Sequence, residues 1–168
     1  TQDAVDFLTE AGDASNFLAR TGYDSRSEEG MLNLTLANRT GPLESLMQVT
    51  LRDSKEIQAH EDGLDIAGPA RGSADPLDRQ ALSILAKVSL EIAAGQRVGL
   101  TYDRTDREAD GRPLSRNSTL TYPTSYDNFG TSDENNKERV EISYEWVDAD
   151  NMFFDSLSAA LNDQQLST

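Results

Sequence analysis

Short stretches of strict hydrophobic alternation recur along this chain, and the connections between them are either short turns or long polar segments. Period-two alternation is typical of β-strands with one apolar face. The connections run short, short, long, short, long, short, and the long ones are Ser54 to Ala81 and Asp106 to Glu138. Because antiparallel strands return to alternate ends of a sheet, this order places both long connections at one end. Transmembrane β-barrels show the same order, with short turns at one rim and long loops at the other.

The alternation predicts an all-β fold, an antiparallel up-and-down meander of about seven strands that forms an incomplete transmembrane β-barrel. The predicted strands are Phe17–Asp24, Gly30–Arg39, Leu43–Asp53, Leu82–Ile92, Gln96–Thr105, Arg139–Asp148 and Phe153–Asn162. The short connections Thr40-Gly41-Pro42, Ala93-Ala94-Gly95 and Asp148-Ala149-Asp150-Asn151 have the composition of tight hairpin turns. The opening stretch Asp3–Glu10 is predicted to form a turn of helix.

One face of the predicted sheet is apolar and the other is polar. The alternation places Leu32, Leu34, Leu36, Val88, Leu90, Val140 and Ile142 on a single convex face. The opposite face carries Arg52, Lys87, Glu91, Glu141 and Glu145, which suits a wet interior. A soluble antiparallel sheet with one face on a core alternates in the same way, so alternation alone leaves both interpretations open. Aromatic residues near predicted strand ends favour the barrel, whose interfacial girdles are aromatic; they are Tyr23, Tyr102, Trp146 and Phe153.

Composition limits the classes of function. The chain of 168 residues has a formal net charge of −15, 36% hydrophobic residues and a mean hydropathy of −0.60. This acidity argues against a nucleic-acid partner, which requires a basic surface to neutralise phosphates. No run of about 18 apolar residues exists, so no transmembrane helix is predicted. The absence of cysteine excludes disulfides and cysteine-rich metal sites. The chain begins at Thr1 rather than Met, which predicts a fragment or a processed product.

Several segments resemble TonB-dependent outer-membrane receptors, and within that group the haem and haemoglobin receptors. They are Asp3-Ala4-Val5-Asp6-Phe7-Leu8, Arg20-Thr21-Gly22-Tyr23-Asp24-Ser25, Leu34-Thr35-Leu36-Ala37-Asn38-Arg39-Thr40-Gly41, Leu51-Arg52-Asp53-Ser54-Lys55-Glu56 and Arg97-Val98-Gly99-Leu100-Thr101-Tyr102-Asp103. The resemblance covers most of the chain. It implies the end of a plug domain with its junction at residues 1–16, followed by a partial β-barrel domain at residues 17–168.

This resemblance also implies a function in transport. The chain would be a fragment of an outer-membrane receptor that takes up iron complexes, either haem or a siderophore. The implied partners are outer-membrane lipid, an iron complex or haem-carrying ligand, and TonB acting through a plug domain that this chain lacks. The later strands and loops, which usually carry the family's haem-ligating histidine motif, are also missing. No functional residue is therefore transferred from the family.

Candidate binding residues are few. Tyr122, Tyr126 and Phe129, together with Pro123, form an aromatic cluster in the second long connection. Exposed aromatic residues can anchor a ligand because they bury a large area at modest entropic cost, although packing of the loop on itself is the simpler interpretation of the cluster. His60 is the only histidine, and a solvated loop residue is the simpler interpretation of it. No catalytic constellation, metal site or cofactor is predicted, so the chain is not expected to be an enzyme.

Two alternatives to the receptor stay open at this point. One is another outer-membrane β-barrel, such as a porin, which would show the same alternation and the same order of connections. The other is a soluble β-sandwich binding module, in which the apolar faces of two sheets pack against each other. The arrangement of the strands separates the sandwich from the barrels.

Overall fold

The computed structural model describes residues 2–9, 11–57, 63–116, 130–147 and 155–168. Its seven strands form one antiparallel sheet in which each strand pairs with its neighbour in the chain. The strands are β1 (Ala14–Asp24), β2 (Glu29–Thr40), β3 (Leu43–Ser54), β4 (Leu77–Ala93), β5 (Gln96–Gly111), β6 (Thr131–Val147) and β7 (Ser156–Ser167). Two short 3-10 helices accompany them, Ala4–Asp6 and Leu114–Arg116. The predicted all-β meander of about seven strands is confirmed.

Tight turns join the strands at one end of the sheet. The turn between β2 and β3 contains Gly41 at φ 55°, and the turn between β4 and β5 contains Gly95 at φ 70°. Glycine populates this left-handed region without the steric cost of a Cβ atom. At Gly95 a Cβ atom would also collide with the backbone carbonyl of Val147 in the neighbouring strand. Both predicted hairpin turns are therefore confirmed, while the third, at residues 148–151, lies outside the described residues.

The strands bordering the long connections extend further than the sequence predicted. The sequence pattern predicts long loops at residues 77–81, 106–111 and 131–138, but in the structure these residues belong to β4, β5 and β6. In these extensions both faces are polar, as where Arg107 pairs with Asn135 and Glu108 with Glu134. Backbone pairing continues there without any alternation to reveal it. The last strand also differs, because it runs to Ser167 instead of ending at Asn162.

The residue pairing places every predicted apolar position on one face. Along one row across the strands Leu36, Met47, Ala86, Tyr102 and Val140 are neighbours, and Val88, Leu100, Ile142 and Leu161 are neighbours along another. We call this side of the sheet the apolar face. Many of its large side chains are exposed, including Phe17 at 66% and Leu161 at 76%, and others such as Leu34 and Ile84 are half-buried. Since all seven described strands lie in one sheet, no second sheet covers this face within the described residues, which contradicts the β-sandwich alternative.

The opposite side, the polar face, is held by hydrogen bonds between side chains. Asn33 Nδ2 donates to Thr50 Oγ1 at 2.7 Å, and Gln48 Nε2 donates to Thr35 Oγ1 at 3.1 Å. Near the tight turns Arg39 and Arg97 both approach Glu44, at 2.8 and 3.5 Å. Cross-strand polar and ionic pairs of this kind stabilise a sheet whose surface is not packed against a core.

The N-terminal segment lies on the polar face. Ala4 and Leu8 pack against Ala37 and Leu46, and these four are the buried apolar residues of the described chain. Asp3 begins the first 3-10 helix, where its N–H donates to Asp6 Oδ2 at 2.8 Å. The helical turn predicted for the opening stretch is thus confirmed over Ala4–Asp6.

Two polar contacts fix the position of this segment. Lys87 Nζ donates to Asp3 Oδ1 at 2.8 Å, and Asn16 Nδ2 donates to the Phe7 carbonyl at 2.7 Å. The segment therefore runs across the polar face, from the Lys87 side chain of β4 to Asn16 near the start of β1. The predicted boundary of the junction at residue 16 stays a prediction.

Candidate functional site: the long-loop rim and the apolar band

Three connections meet at the end of the sheet opposite the tight turns, and we call this end the long-loop rim. They are residues 25–28, 55–76 and 112–130. The Lys55 N–H donates to the Ser27 carbonyl at 2.8 Å, and the Lys55 ammonium pairs with Glu28 at 2.8 Å. The start of the first long connection is thus anchored to the turn between β1 and β2.

The two long connections are bonded to each other through Asp75 and Ser115. The Asp75 carboxylate accepts from the Ser115 N–H at 2.8 Å and from its hydroxyl at 2.5 Å. Backbone bonds flank this contact, from the Gly68 N–H to the Leu114 carbonyl at 2.8 Å and from the Arg112 N–H to the Pro76 carbonyl at 2.9 Å. The described parts of the two connections therefore form one structure above the sheet.

Arg71 organises the first long connection from within. Its side chain is only 5% exposed, and its guanidinium lies 2.6 Å from Asp65 and 3.2 Å from Asp75. It also donates to the Ala74 carbonyl at 2.7 Å. A buried guanidinium is stabilised when its several donors are satisfied in this way. Arg71 thereby holds Asp75 in position for Ser115.

The pKa of Asp75 reflects this contact. Burial acts to raise the pKa, but the hydrogen bonds from Ser115 and the positive charges of Arg71 and Arg116 outweigh it and leave the pKa below the ordinary value of 3.8. A carboxyl with a lowered pKa favours the folded arrangement in its charged form. The contribution is fully present above the ordinary pKa and is lost as the pH falls through the lowered value.

We therefore expect acid to separate the two long connections. Hydrogen–deuterium exchange of the Gly68 and Arg112 amides, corrected for intrinsic rates, should accelerate as the pH is lowered below 3.8. Asp75→Asn should make the same amides exchange rapidly at neutral pH, because the charged acceptor is gone. Asp53→Asn is the matched control, since this exposed carboxylate lies near the rim end of β3 and takes no part in the contact between Asp75, Arg71 and Ser115. Unchanged protection of both amides in Asp75→Asn would contradict a role for this contact.

The apolar face carries a continuous band of apolar side chains, which we call the apolar band. It comprises Leu32, Leu34 and Leu36 in β2; Met47, Val49 and Leu51 in β3; Leu82, Ile84, Ala86, Val88 and Leu90 in β4; Val98, Leu100 and Tyr102 in β5; Val140, Ile142, Tyr144 and Trp146 in β6; and Leu157, Ala159 and Leu161 in β7. In β4 it runs from Leu82 to Leu90, close to the roughly 9–11 residues with which a tilted strand crosses a bilayer. Beyond its edge toward the long-loop rim the same face is polar.

The band crosses the strands diagonally. One row of opposite residues across the strands contains Leu32, Leu51, Leu82, Asp106, Asn136 and Ser167, so it is apolar in β2 to β4 and polar in β5 to β7. In β2 the residue of the band nearest the long-loop rim is Leu32, which lies in this row. In β7 it is Leu161, which lies six residues before Ser167 of the same row and therefore farther from the rim. This shift accumulates over the five steps from β2 to β7, which is about 1.2 residues per strand.

The diagonal gives the tilt of the strands relative to the band. With a rise of about 3.3 Å per residue and about 4.8 Å between strands, a shift of about 1.2 residues per strand corresponds to a tilt of roughly 40°. Strands of transmembrane barrels are tilted by about 35–45°, because closure of the sheet requires a stagger of the hydrogen-bond register. The pattern on the apolar face thus matches a sheet that curves around an axis inclined to its strands.

The candidate residues from the sequence have different outcomes. Tyr122, Tyr126, Phe129 and His60 lie outside the described residues, so the aromatic cluster stays a prediction. Tyr102 is not at a strand end, because β5 continues to Gly111. It is the last residue of the apolar band in β5 on the side of the long-loop rim, and Arg104 follows it on the same face. Trp146 is the penultimate residue of β6, and Tyr23 is exposed near the end of β1.

The sequence did not identify Arg71, Asp75 or Ser115. Asp75 and Ser115 are forty residues apart and their separate positions resemble ordinary loop composition. Among residues 2–9, 11–57, 63–116, 130–147 and 155–168, no group of three His, Cys, Asp or Glu side chains is arranged to hold a metal ion. No helix in this described part of the chain has the length and apolar character needed to cross a membrane.

Curated relatives match this chain along its whole length. A probable hemoglobin and hemoglobin-haptoglobin-binding protein 4 of Haemophilus influenzae is 28% identical over 173 residues, covering 100% of this chain. The hemoglobin and hemoglobin-haptoglobin-binding protein of Haemophilus ducreyi is 28% identical over 99% of the chain, and hemoglobin-binding protein A of Haemophilus influenzae is 26% identical over 100%. The chain spans 17% of the length of each. No family model matches.

These relatives confirm the resemblance to haemoglobin receptors that the sequence segments indicated. All three are named as binding proteins, which fits the expectation that the chain is not an enzyme.

Proposed function

We propose that this chain forms an arc of the β-barrel of an outer-membrane receptor that captures haem-carrying proteins. The observation that carries the proposal is the diagonal apolar band. A band tilted by roughly 40° to the strands is what lipid contact imposes on a barrel wall, whereas a sheet packed on a soluble core has no reason to stagger its apolar positions in one direction. Outer-membrane lipid is then the partner of the apolar face, and the polar face lines the lumen.

The relatives favour haem over a siderophore as the cargo. Their names refer to haemoglobin and to haemoglobin bound to haptoglobin. Loops on a rigid scaffold commonly carry recognition, and the long-loop rim would meet such a protein outside the cell. A porin-like barrel, the remaining alternative, would share the band but would not bind haemoglobin.

Coupling to TonB is also part of this proposal. The N-terminal segment enters along the polar face, where Ala4 and Leu8 are buried and Asp3 pairs with Lys87. A plug domain joined to residues 1–16 would reach the lumen along this path, and energy from TonB would act through that plug. Residues 17–168 would form the first part of the barrel.

Binding of labelled haemoglobin to intact cells tests this function. Cells of a Gram-negative host without haem receptors should gain saturable haemoglobin binding when they express the complete protein that contains this chain. Replacing Tyr122, Tyr126 and Phe129 by alanine should weaken this binding by about tenfold or more, because buried aromatic anchors dominate protein interfaces. Tyr23→Ala, which removes an exposed aromatic side chain from the apolar face, is the control and should bind normally.

Two outcomes would contradict the proposal in different ways. Absence of haemoglobin binding by cells with the wild-type protein at their surface would overturn the receptor function and favour the porin-like alternative. Normal binding by the triple alanine variant would remove the aromatic cluster from the site and leave recognition to other parts of the rim.

A further inference from the structure

Charge is distributed unequally between the two faces of the sheet. Strand positions on the polar face carry nine cationic residues: Arg20, Arg39, Arg52, Arg79, Lys87, Arg97, Arg107, Lys137 and Arg139. They also carry eight acidic residues: Asp24, Glu29, Glu44, Glu91, Asp103, Asp133, Glu141 and Glu145. The strand positions of the polar face thus carry one more cation than anions, and the N-terminal segment adds Asp3 and Asp6 to this face. The face is therefore close to neutral, although the chain as a whole has a net charge of −15.

The register brings four of these cations together near the long-loop rim, and we call them the basic patch. They are Arg52 in β3, Arg79 in β4, Arg107 in β5 and Lys137 in β6. Arg52 pairs with Ala81, Arg79 with Ala109, and Thr105 with Lys137. Each cation is consequently the diagonal neighbour of the next, and diagonal positions on adjacent strands lie about 7–8 Å apart.

Few ion pairs compensate the basic patch among the described residues, although Asp133 lies diagonal to Arg107 and Asp103 lies diagonal to Lys137. Arg52 pairs with Glu29 at 3.1 Å. Among the described residues, no carboxylate lies within 4 Å of the charged groups of Arg79, Arg107 or Lys137. Arg79 and Arg107 are exposed, and the small side chains of Ala81 and Ala109 leave space between them. Neighbouring like charges on a sheet repel each other, so this arrangement is suited to an anion supplied from outside.

We propose that the basic patch binds the carboxylates of a small dicarboxylate ligand. This inference rests on the proposed function, which makes the polar face a lumen and supplies haem, whose two propionate groups are such carboxylates. The patch lies just below the rim, so it would receive the ligand after its release from a carrier protein captured by the loops. Guanidinium groups suit this role because they hold carboxylates through paired, charge-assisted hydrogen bonds.

Haemin and its dimethyl ester, in which both propionates are neutralised, are the probes that test this site. Purified complete protein in detergent should bind haemin at least about tenfold more tightly than the ester, the effect of one charge-assisted hydrogen bond. The variant Arg79→Gln/Arg107→Gln should lose this preference. The matched control Arg26→Gln/Arg104→Gln removes two cations from a turn and from the apolar face, and it should keep the preference. Added salt should reduce the preference in the wild type.

Equal affinity of the wild type for haemin and the ester, or an unchanged preference in the patch variant, would overturn the proposal. Haemoglobin binding to cells, measured in parallel, separates this failure from failure of the receptor function, because the haemin-to-ester ratio does not require the carrier protein. If the patch variant kept its preference for haemin but lost haemoglobin binding, the patch would instead contact an acidic protein surface, and the dicarboxylate site would be wrong.

Discussion

Arginine at the centre of the apolar band is expected to destabilise the folded protein in a lipid membrane. Leu100 lies on the apolar face in the middle of the band in β5. Under the proposed function its side chain contacts lipid near the bilayer midplane, where an arginine costs about 2–4 kcal/mol. Leu100→Arg should therefore lower the free energy of unfolding by that amount. Urea unfolding in lipid vesicles, followed by the mobility shift of the folded barrel on gels, measures the change.

Two control substitutions test whether the loss of stability follows the diagonal direction of the apolar band. Thr101→Arg places the charge on the polar face one residue away and should be tolerated. Ser45 occupies the same row across the strands as Leu100, through Val88. Because the band is tilted, Ser45 should lie near the membrane interface, where arginine costs only about 0–1 kcal/mol. Equal losses for Ser45→Arg and Leu100→Arg would mean that the membrane runs parallel to the rows, which contradicts the tilt.

The sequence predicted the strands best where burial differs between their faces. In the centres of β2 and β3, from Leu32 to Leu36 and from Met47 to Leu51, every second residue is leucine, methionine or valine, and the predicted ends of both strands agree with the structure to within one residue. The rim ends of β4, β5 and β6 were missed because both faces are polar there, as at Arg107 and Glu108. Backbone hydrogen bonds stabilise a strand whatever its side chains, so hydrophobic periodicity cannot show how far such a strand extends.

The functional surfaces depend on register and on long-range contacts, neither of which a single sequence reveals. The basic patch requires Arg79 and Lys137 to lie in strands, yet both fell inside predicted loops. The contact between Asp75 and Ser115 joins two loops separated by a hairpin. In contrast, the apolar face was predictable because a one-residue error in register would move every apolar side chain to the polar face.

The isolated 168-residue chain is expected to be insoluble in plain buffer. The apolar band is exposed, with Leu161 at 76% and Ile142 at 54%. A contiguous apolar surface of this size on a soluble monomer promotes association. Within the part of the chain that the structure describes, both edges of the sheet are also open, because β1 and β7 each pair with a single neighbour. Unpaired edge strands recruit further chains through their free backbone groups.

Refolding by dilution from urea, with and without detergent micelles, measures this expectation. Light scattering should show aggregates in buffer and a dispersed species in detergent, because micelles cover the band. The buried core is too small to stabilise the fold while the apolar band is exposed to water, since among the described residues it consists of Ala4, Leu8, Ala37 and Leu46. So small a core falls short of the conformational entropy of ordering seven strands, which costs about 1–2 kcal/mol per residue for the backbone alone. A monodisperse monomer that melts cooperatively in buffer would contradict this prediction. The apolar face would then have to be covered by the protein itself, and lipid would not be the partner of that face.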